Sequence, residues 1–576
     1  MTTNKKTSEL NQQKTLRLWP GIVIVILQWL IRFVIPSIVP EALVFGVFGG
    51  LLGGLAILVW WAFFSRAPKI ERWGGIVLMI VTLFVTSLFL DVSIATGGQG
   101  MMFIIFAIPV LSLAFVAWAV TSQHLSIRVR HLTMVATIII ACGVWILLRI
   151  DGITGDFNID LAWRWAETSE ERLLKQDDSE PMDLISAPLV IDKIAEWPGF
   201  RGPNRDGIIK GIRIETDWST TPPKELWRKP IGPGCSSFAV SSDLLYTQEQ
   251  RGDDEIVACY NMNTGELLWR HNDKARFWDS HAGAGPRSTP TLSDRRVYTL
   301  GATGILNVLD ASNGSLIWSR NAVSDADVKH SGWGYTSSPL VVDEIVVVAI
   351  VGKLVAYDID TGDPRWFGPD GGDSYSSPHL MTIDGIKQIL LMSESGATSI
   401  APAEGILLWE YPWSGGSRIV QPAMTANGDL LISSGEGTGM RCINVMHESS
   451  GWTIEELWTS VQLKPNFNDF VVHKGYAYGY NGPSLVCIDV KDGKRMWKGG
   501  RYGGQLILLA DQDLLLVLSE RGELALVNAN SDKFMELARL DAIEGKTWNH
   551  PVLVGDILLA RNSEEMVAYQ LSPAGS

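Results

Sequence analysis

The segment DIDTGDPRW, at residues 358–366, decides the fold because variants of it recur along the chain after residue 196. The copies place a glycine four residues before a tryptophan, except at Trp458, which follows an inserted stretch, and the tryptophans recur every 39 to 49 residues by their numbers. The other tryptophans of the series are Trp269, Trp318, Trp409, Trp458 and Trp497. Repeats of about 40–50 residues with strand-like content indicate the blades of a β-propeller.

The residue types within the repeat explain why it folds as a blade. Alternating apolar stretches such as LVAYDI (354–359) are typical of strands. The aspartate or asparagine that opens the segment bonds to the following turn, and the glycine supplies a positive φ there. The tryptophan on the returning strand offers a large flat surface for packing between blades. We therefore assign structural roles to these residues.

A second motif opens each blade and predicts how many blades there are. It reads RSTP, TSSP, YSSP, IVQP, FNDF and WNHP, at 287–290, 336–339, 375–378, 419–422, 467–470 and 548–551. CSSF (235–238) and GGQL (503–506) fit more loosely, so the chain is expected to form about eight blades. The last blade ends at MVAYQL (566–571) without a tryptophan strand, and the isolated segment ELWRKPI (225–231) is expected to complete it.

The first quarter of the chain has a different composition and predicts transmembrane helices. Five apolar runs, at 20–39, 42–64, 74–95, 101–120 and 132–150, each approach the ~20 residues needed to cross a bilayer. Basic residues precede the first run and lie between the second and third and between the fourth and fifth: Lys5, Lys6, Lys14, Arg17, Arg66, Lys69, Arg72, Arg128 and Arg130. This alternation predicts a cytoplasmic N-terminus in a bacterial inner membrane, with the propeller on the periplasmic side.

The predicted organisation is a cytoplasmic tail (1–18), a transmembrane bundle (19–150), a linker (151–195) and an eight-bladed propeller (196–576). Within the linker, residues 160–176 are expected to form an amphipathic helix, with Thr168 and Glu171 spaced as a capping box. Trp163 and Trp165 are expected either at the membrane interface or against the propeller.

Two charged residues interrupt the apolar runs. Arg32 and Asp91 are candidates for function because ionisable side chains inside a membrane are costly. The alternatives are that Arg32 reaches the interface or pairs with Asp91 or Glu41. Five glycines of the second run are expected to permit close helix packing: Gly46, Gly49, Gly50, Gly53 and Gly54.

Charge and cysteine content exclude several classes of function. The net charge of -14 argues against a nucleic-acid partner. The spacing of the five cysteines suggests neither a zinc site nor a disulfide framework, so they are expected as free thiols, mostly buried.

The D-x-x-T-G-x-x-x-W repeat resembles that of the PQQ-like β-propeller family, which includes quinoprotein-like and BamB-like propellers. The stretches WPGFRGPNRDG (197–207), GPRSTPT (285–291), GWGYTSSP (332–339) and KTWNHP (546–551) resemble a membrane-anchored, planctomycete-type subgroup. The resemblance covers about residues 196–571 and implies the fold. It also implies an alternative function, because a membrane-bound quinoprotein glucose dehydrogenase joins five helices to such a propeller. The adjacent cysteine pair of the quinoprotein alcohol dehydrogenases is absent from the sequence, which also has no convincing match to the aspartate base and the calcium ligands of the quinoproteins.

Candidate ligand-binding residues lie on or beside the blade-opening motifs, which converge on the central funnel of a propeller. Aromatic and hydrogen-bonding side chains together are typical of a binding surface. These candidates are Arg287, Trp333, Tyr335, Tyr375, Gln421, Asn468, Asp469, Gln505, Trp548 and Asn549, with His550 beside them and Arg561 and Glu564 as weaker ones. The alternative is that the polar members satisfy strand ends and the aromatic members fill the channel.

The sequence favours a binding or scaffold module over an enzyme. We expect the funnel face to bind a periplasmic protein or peptide, with no catalytic residues, no metal ligands and no cofactor. The alternatives are a PQQ-dependent dehydrogenase that uses calcium and delivers electrons to membrane quinone, and a module that binds polysaccharide or a small ligand.

Overall fold

The computed structural model describes residues 16–39, 42–154, 159–177, 194–328, 332–413, 415 and 418–575, apart from the side chains of 436 and 437. The chain divides into two compact units, Met1–Ala166 and Glu167–Ser576.

The first unit contains five long apolar helices, as the sequence predicts. By length and composition, each is able to cross a membrane: Trp19–Ile38, Leu43–Phe64, Lys69–Ser87, Met102–His124 and Ile127–Leu147. The third helix ends at Ser87 rather than at residue 95, because Asp91 caps a separate short helix, Val92–Thr96. The Asp91 carboxylate accepts the Ser93 amide at 3.0 Å.

Glycines of the second helix lie where neighbouring side chains leave no room for a Cβ. A Cβ on Gly46 would stand 2.7 Å from the Pro36 ring, and one on Gly53 would stand 2.6 Å from Gln28. Their predicted role in close helix packing is therefore confirmed.

The linker departs from the prediction over residues 160–168. Ile159–Trp163 is a strand that pairs antiparallel with Leu148–Ile153, so the predicted helix over this stretch is wrong. Pairing with the chain that leaves the fifth helix outweighs the local helical pattern. The capping box is confirmed at the start of the shorter helix Ser169–Asp177, where the Thr168 and Glu171 amides and side chains exchange hydrogen bonds of 2.8 and 3.0 Å.

The second unit is an eight-bladed propeller built from four-stranded antiparallel sheets, and in blade 7 a fifth strand, Ile208–Ile209, pairs in parallel with the innermost strand Gln505–Leu509. The strands of blades 1 to 4, from the channel outward, are Ala239–Ser241, Leu244–Arg251, Asp254–Asn261 and Leu267–Asp273; Thr291–Ser293, Arg296–Leu300, Ile305–Asp310 and Leu316–Asn321; Leu340–Val342, Ile345–Ile350, Lys353–Asp358 and Pro364–Phe367; and His379–Ile383, Ile386–Ser393, Gly396–Ile400 and Leu407–Pro412.

The remaining blades follow the same order. Their strands are Ala423–Met424, Leu430–Ser434, Gly439–Glu448 and Gly451–Ser460; Val471–His473, Tyr476–Asn481, Ser484–Asp489 and Arg495–Arg501; Gln505–Leu509, Leu514–Leu518, Glu523–Asn528 and Glu536–Asp541; and Val552–Val554, Ile557–Arg561, Glu565–Gln570 and Lys224–Pro230.

The ring closes through the strand Lys224–Pro230, which is the outermost strand of blade 8. It pairs antiparallel with Glu565–Gln570, with Trp227 opposite Ala568. The prediction that the isolated segment 225–231 completes the last blade is confirmed. The closure joins the two ends of the propeller sequence and removes the open edge that the last blade would otherwise present.

The repeated tryptophans join adjacent blades, as predicted. The Trp318 indole donates to the Ile359 carbonyl of the next blade at 3.1 Å, and a Cβ on Gly362 of that blade would stand 2.7 Å from the Trp318 ring. Trp227, Trp269, Trp366, Trp458 and Trp497 donate to the following blade in the same way. Trp409 instead donates to Gln388 of its own blade.

The cysteines are free, and Cys142, Cys259, Cys442 and Cys487 are buried as expected, whereas Cys235 is half-buried.

Candidate functional site

The blade-opening motifs form a closed belt of hydrogen bonds around the channel. The amide of the third motif residue donates to the side chain at the third position of the next blade. Thr289 donates to the Ser338 hydroxyl at 3.0 Å, and Ser338 donates to the Ser377 hydroxyl at 2.9 Å. Asp469 extends the same pattern to Gln505 at 3.4 Å.

At some of the other junctions, a side-chain hydrogen bond takes the place of the hydrogen bond from the backbone amide. The Gln421 amide group donates to Ser376 of blade 4 at 3.1 Å. The Gln505 amide group donates to the Trp548 carbonyl of blade 8 at 3.1 Å. Asn549 donates to the Ser236 carbonyl of blade 1 at 2.7 Å. The Ser237 amide donates to Thr289 at 3.1 Å and the Gln421 backbone amide to Asp469 at 3.3 Å, so every junction between adjacent blades carries a hydrogen bond from this motif.

A segment that precedes the propeller, residues 197–209, crosses the channel; we call it the plug. Trp197 bridges to Val240 of blade 1, and Ile208–Ile209 pairs in parallel with Leu508 and Leu509 of blade 7. Pro198 also accepts the Leu292 amide of blade 2 at 2.7 Å. Blade 2 lies across the ring from blade 6, which Arg201 contacts, so the segment spans the channel.

Two arginines of the plug fasten it to further blades. Arg201 donates to the Phe470 carbonyl of blade 6 at 2.6 Å. Arg205 donates to the carbonyls of Ser338 and Pro339 of blade 3 at 2.9 and 2.8 Å. Arg201 and Arg205 are 3% and 8% exposed. Because the plug contacts the third motif position or residues after it, the first motif positions remain on the other side of the belt.

A buried charge cluster holds the plug to the belt. The Asp469 carboxylate stands 3.4 Å from the Arg201 Nε and 3.1 Å from the His550 Nε2. Burial alone would raise the pKa of Asp469, but the Arg201 guanidinium and His550 hold it below its ordinary value. Burial and the two plug arginines lower the pKa of His379 to about 3, so this imidazole is neutral.

The end of the channel opposite the plug, which we call the mouth, carries two aromatic pairs. Trp333 and Tyr375 contact at a ring-centroid distance of 4.8 Å, and His281 lies 6.2 Å from Trp333. Trp333 is 41% exposed. A cavity of about 380 Å³ adjoins this pair and is lined in part by Gly332, Ile350 and Asp373.

The second pair comes from blades 6 and 8. Phe467 and Trp548 contact at 4.9 Å, and both are half-buried. The Trp548 indole donates to the Glu520 carboxylate at 2.6 Å, and the Lys546 ammonium lies 4.0 Å from the Trp548 ring centroid. Lys546 also donates to the His281 carbonyl, which brings the second pair beside the first. Burial lowers the pKa of Lys546.

The structure separates the predicted site residues into two groups. Trp333, Tyr375 and Trp548 lie at the mouth, where Trp333 is exposed, Trp548 is half-buried and Tyr375 is buried beneath Trp333 with its ring in contact. The others are buried among blades: Arg287, Tyr335, Gln421, Asn468, Asp469, Gln505 and Asn549.

Within the buried group, Arg287 pairs with Asp279 at 2.6 Å, and Tyr335 packs in the core between blades 2 and 3. The weaker candidate Arg561 is fully buried and donates to Thr247 of blade 1 at 2.6 Å. Their placement between blades favours a structural role, whereas a binding role remains a prediction for the three mouth residues.

Sequence reasoning did not identify the plug arginines, Phe467, Lys546 or His281 as site residues. Phe467 opens the FNDF motif and Lys546 precedes WNHP, so their motifs did carry a signal. Arg201 and Arg205 lie in the stretch WPGFRGPNRDG (197–207), but their role was not recognisable, because their partners lie more than 130 residues away in the sequence.

Comparison with known proteins agrees with the architecture. A family model described as outer membrane protein assembly factor BamB matches residues 253–499. Over these residues, the repeats of the propeller are similar to those of that family. Outer membrane protein assembly factor BamB of Yersinia pestis is 20% identical to the chain over 331 residues, which are 54% of this chain and 72% of that protein.

A further relative matches over a shorter length, and two solved structures superpose on a larger share of the chain. The BamB of Shewanella oneidensis is 26% identical over 156 residues, and the match spans 26% of this chain and only 37% of that protein. The crystal structure of BamB from Moraxella catarrhalis superposes with a TM-score of 0.43 at 14% identity, over 61% of this chain and 98% of that chain. Quinohemoprotein alcohol dehydrogenase from Comamonas testosteroni superposes with a TM-score of 0.48 at 12% identity, over 67% and 82% of the two chains.

Proposed function

We propose that this chain is a membrane-anchored periplasmic scaffold whose propeller mouth binds an extended segment of another protein. The observation that carries the proposal is the pair of aromatic contacts at the mouth, Trp333 with Tyr375 and Phe467 with Trp548. Blades 3, 4, 6 and 8 supply these residues or follow the loops that hold them. A shelf built from several blades suits a ligand that lies across the ring.

The chemistry of the mouth supports a peptide ligand. Tryptophan and tyrosine supply large contact areas and lose little conformational entropy on binding, which is why they dominate protein interfaces. Lys546 and Glu520 hold the Trp548 ring in place, because the Lys546 ammonium lies 4.0 Å from the ring centroid and Glu520 accepts the indole N–H at 2.6 Å. The adjoining cavity of about 380 Å³ has room for a partner side chain.

The membrane placement rests on the five apolar helices and on the basic residues that flank them. Arg66 lies between the second and third helices and Lys69 and Arg72 lie in the first turn of the third, whereas no lysine or arginine occurs at 40–41 or 97–100. This asymmetry supports a cytoplasmic N-terminus and a periplasmic propeller. The name of the relatives, outer membrane protein assembly factor, supports a partner among proteins that are assembled into an outer membrane.

We further propose that the propeller takes neither PQQ nor calcium. PQQ is a planar tricarboxylate and needs free cations and stacking room at the centre of the ring. Here the plug crosses the channel, and Arg201 and Arg205 already donate to backbone carbonyls. Calcium requires several oxygen ligands, and the described residues hold no group of three histidine, cysteine or acidic side chains able to bind a metal.

Site-specific photo-crosslinking in native membranes tests the binding role. A photoreactive amino acid replaces Trp333 in one variant and Leu316 in another; Leu316 is 50% exposed on an outer strand of blade 2 and serves as the matched control. We expect a discrete protein adduct at position 333, identified by mass spectrometry, and none at position 316. Equal labelling at both positions, or no adduct at position 333, would contradict the proposal.

A further inference from the structure

Arg32 carries an uncompensated charge inside the helical unit. It is 5% exposed and lies on the first apolar helix, Trp19–Ile38. Its Nε is buried without a partner, and within the described part of the chain its guanidinium has no hydrogen bond and no carboxylate. Asp91, the partner considered from the sequence, faces Arg164 at 3.5 Å instead, and Glu41 lies outside the described residues.

The surroundings hold the guanidinium in place without neutralising it. It stacks over Phe33 at 5.0 Å and over Phe106 of the fourth helix at 4.8 Å. Gly50 of the second helix leaves space for the side chain, because a Cβ there would stand 3.2 Å from the Arg32 Cδ. Aromatic faces attract a cation but leave its N–H donors unpaired.

A second polar side chain lies one helical turn away on the same face. Gln28 precedes Arg32 by four residues, and its amide group donates to the Gly50 carbonyl at 2.7 Å. Its Oε1 is buried and has no partner. The first, second and fourth helices therefore surround the unpaired N–H donor of Arg32 and the unpaired Oε1 acceptor of Gln28.

We propose that Arg32 anchors a binding site for the phosphate of a phospholipid from the outer leaflet. This rests on the proposed membrane placement of the helices. Arg32 is six residues before Ile38, about 9 Å from the outer helix end at 1.5 Å per residue. That depth is within reach of a headgroup drawn inward by an arginine, whose long side chain extends toward the interface.

A phosphate would bring the negative charge and the acceptor oxygens that the described residues around Arg32 do not provide. Arginine bonds phosphate oxygens through two parallel N–H groups, which gives both strength and a fixed geometry. Burying an arginine without a counter-ion is costly, so a lipid that brings a negative charge is preferentially retained.

Native mass spectrometry of the full chain in detergent tests the site. The probe is dioleoylphosphatidylglycerol, and dioleoylglycerol, which has the same chains without phosphate, is the comparison. We expect wild type to retain the phospholipid but not the diacylglycerol, and Arg32→Gln to weaken phospholipid retention about tenfold. Arg128→Gln, the same charge change at an exposed arginine of the same unit, should leave retention unchanged.

Thermal melting separates lipid binding from an internal ion pair. Without lipid, Arg32→Gln should melt at or above the wild-type temperature, because the change removes an unpaired charge; added phospholipid should then stabilise only the wild type. If Arg32→Gln and Glu41→Gln both melt lower without lipid, Arg32 has a partner within the chain and the proposal fails. Displacement of the lipid by millimolar inorganic phosphate would also overturn it, since a soluble anion would then be the ligand.

The anchoring itself has a separate readout. A chain that alkaline carbonate releases from membranes is not anchored, and the proposed membrane placement fails. A chain that stays in the membrane while Arg32→Gln keeps the phospholipid as tightly as wild type contradicts only the lipid site.

Discussion

The amide of Ser338 donates a 2.9 Å hydrogen bond to the hydroxyl of Ser377, and this bond joins blade 3 to blade 4 at the channel wall. The same motif position links the other blades, with Asp469 as the charged member of the series. A small polar residue recurs there because each blade must offer an acceptor to the amide of its neighbour. The motif therefore joins neighbouring blades into the ring. Asp469 also pairs with Arg201 of the plug.

Asp469→Asn should destabilise the propeller by about 3 kcal/mol at neutral pH, because it leaves the buried Arg201 without its charged partner. Chemical unfolding measures the effect. Asp294→Asn, at an exposed hairpin position, is the control and should change the free energy of unfolding by less than about 0.5 kcal/mol. Equal effects of the two variants would show that Arg201 does not depend on Asp469.

The contribution of Asp469 should depend on pH in a defined direction. Its pKa in the folded protein lies below the ordinary value, so the charged form stabilises the fold above the unfolded pKa of about 3.9. That stability is lost as the pH falls through the folded pKa. The difference in unfolding free energy between wild type and Asp469→Asn should therefore be constant near pH 7 and shrink below about pH 4. A difference in unfolding free energy that grows as the pH falls would contradict a stabilising role for the charged Asp469 carboxylate.

Gly362→Ala should destabilise the propeller more than Gly385→Ala does. Both glycines have a positive φ, +75° and +77°, so both variants incur the same backbone strain. A Cβ at Gly362 would stand 2.7 Å from the Trp318 ring, whereas a Cβ at Gly385 meets nothing within 4 Å. We expect an additional loss of about 1–3 kcal/mol for Gly362→Ala from overpacking, measured by chemical unfolding. Equal losses would mean that the Trp318 ring moves aside freely.

Trp227→Ala should weaken the closure of the ring. The Trp227 indole donates to the Met262 carbonyl of blade 1 at 2.8 Å, and its side chain is 8% exposed. We expect a loss of about 3 kcal/mol in unfolding free energy, as for other buried tryptophans. Leu316→Ala, on an outer strand and 50% exposed, is the control and should cost under about 1 kcal/mol. An unchanged melting temperature for Trp227→Ala would contradict closure by this strand.

A reporter enzyme that is active only in the periplasm should be active when fused after Ser576. The basic residues that alternate between the apolar helices give this orientation to a chain with five spans. A reporter active only in the cytoplasm gives the complementary measurement. Activity of the cytoplasmic reporter alone at this position would reverse the orientation or change the number of spans.

Titration of the full chain in detergent with PQQ and calcium should show no binding at micromolar concentration. The plug occupies the channel, and its arginines are engaged with the carbonyls of Pro339 and Phe470. Calorimetry and absorbance follow the titration, and a quinoprotein dehydrogenase serves as the positive control. Calcium-dependent micromolar binding, with dye reduction on addition of glucose or an alcohol, would instead favour the dehydrogenase.

The amino-acid sequence by itself determined the two parts of this protein and the closure of the ring. Helix-length apolar runs and the D-x-x-T-G-x-x-x-W repeat are local patterns, and each blade or helix forms largely from neighbouring residues. The segment 225–231 was recognisable as the missing strand because a blade without an outer strand leaves an open edge. The stretch 160–168 was misassigned because its partner strand, Leu148–Ile153, outweighs its helical periodicity.

Only the tertiary structure decided which motif residues face the mouth and which lock the blades together. Trp333 and Gln421 both lie on or beside blade-opening motifs, yet the first is 41% exposed and the second 1%. Their exposures differ because Trp333 lies at the mouth and Gln421 lies between blades. The local sequence pattern does not distinguish these two positions. The plug shows the same limit: Arg205 and Pro339 meet across 134 residues of chain. Such contacts arise when the ring closes, because closure brings distant segments onto one axis.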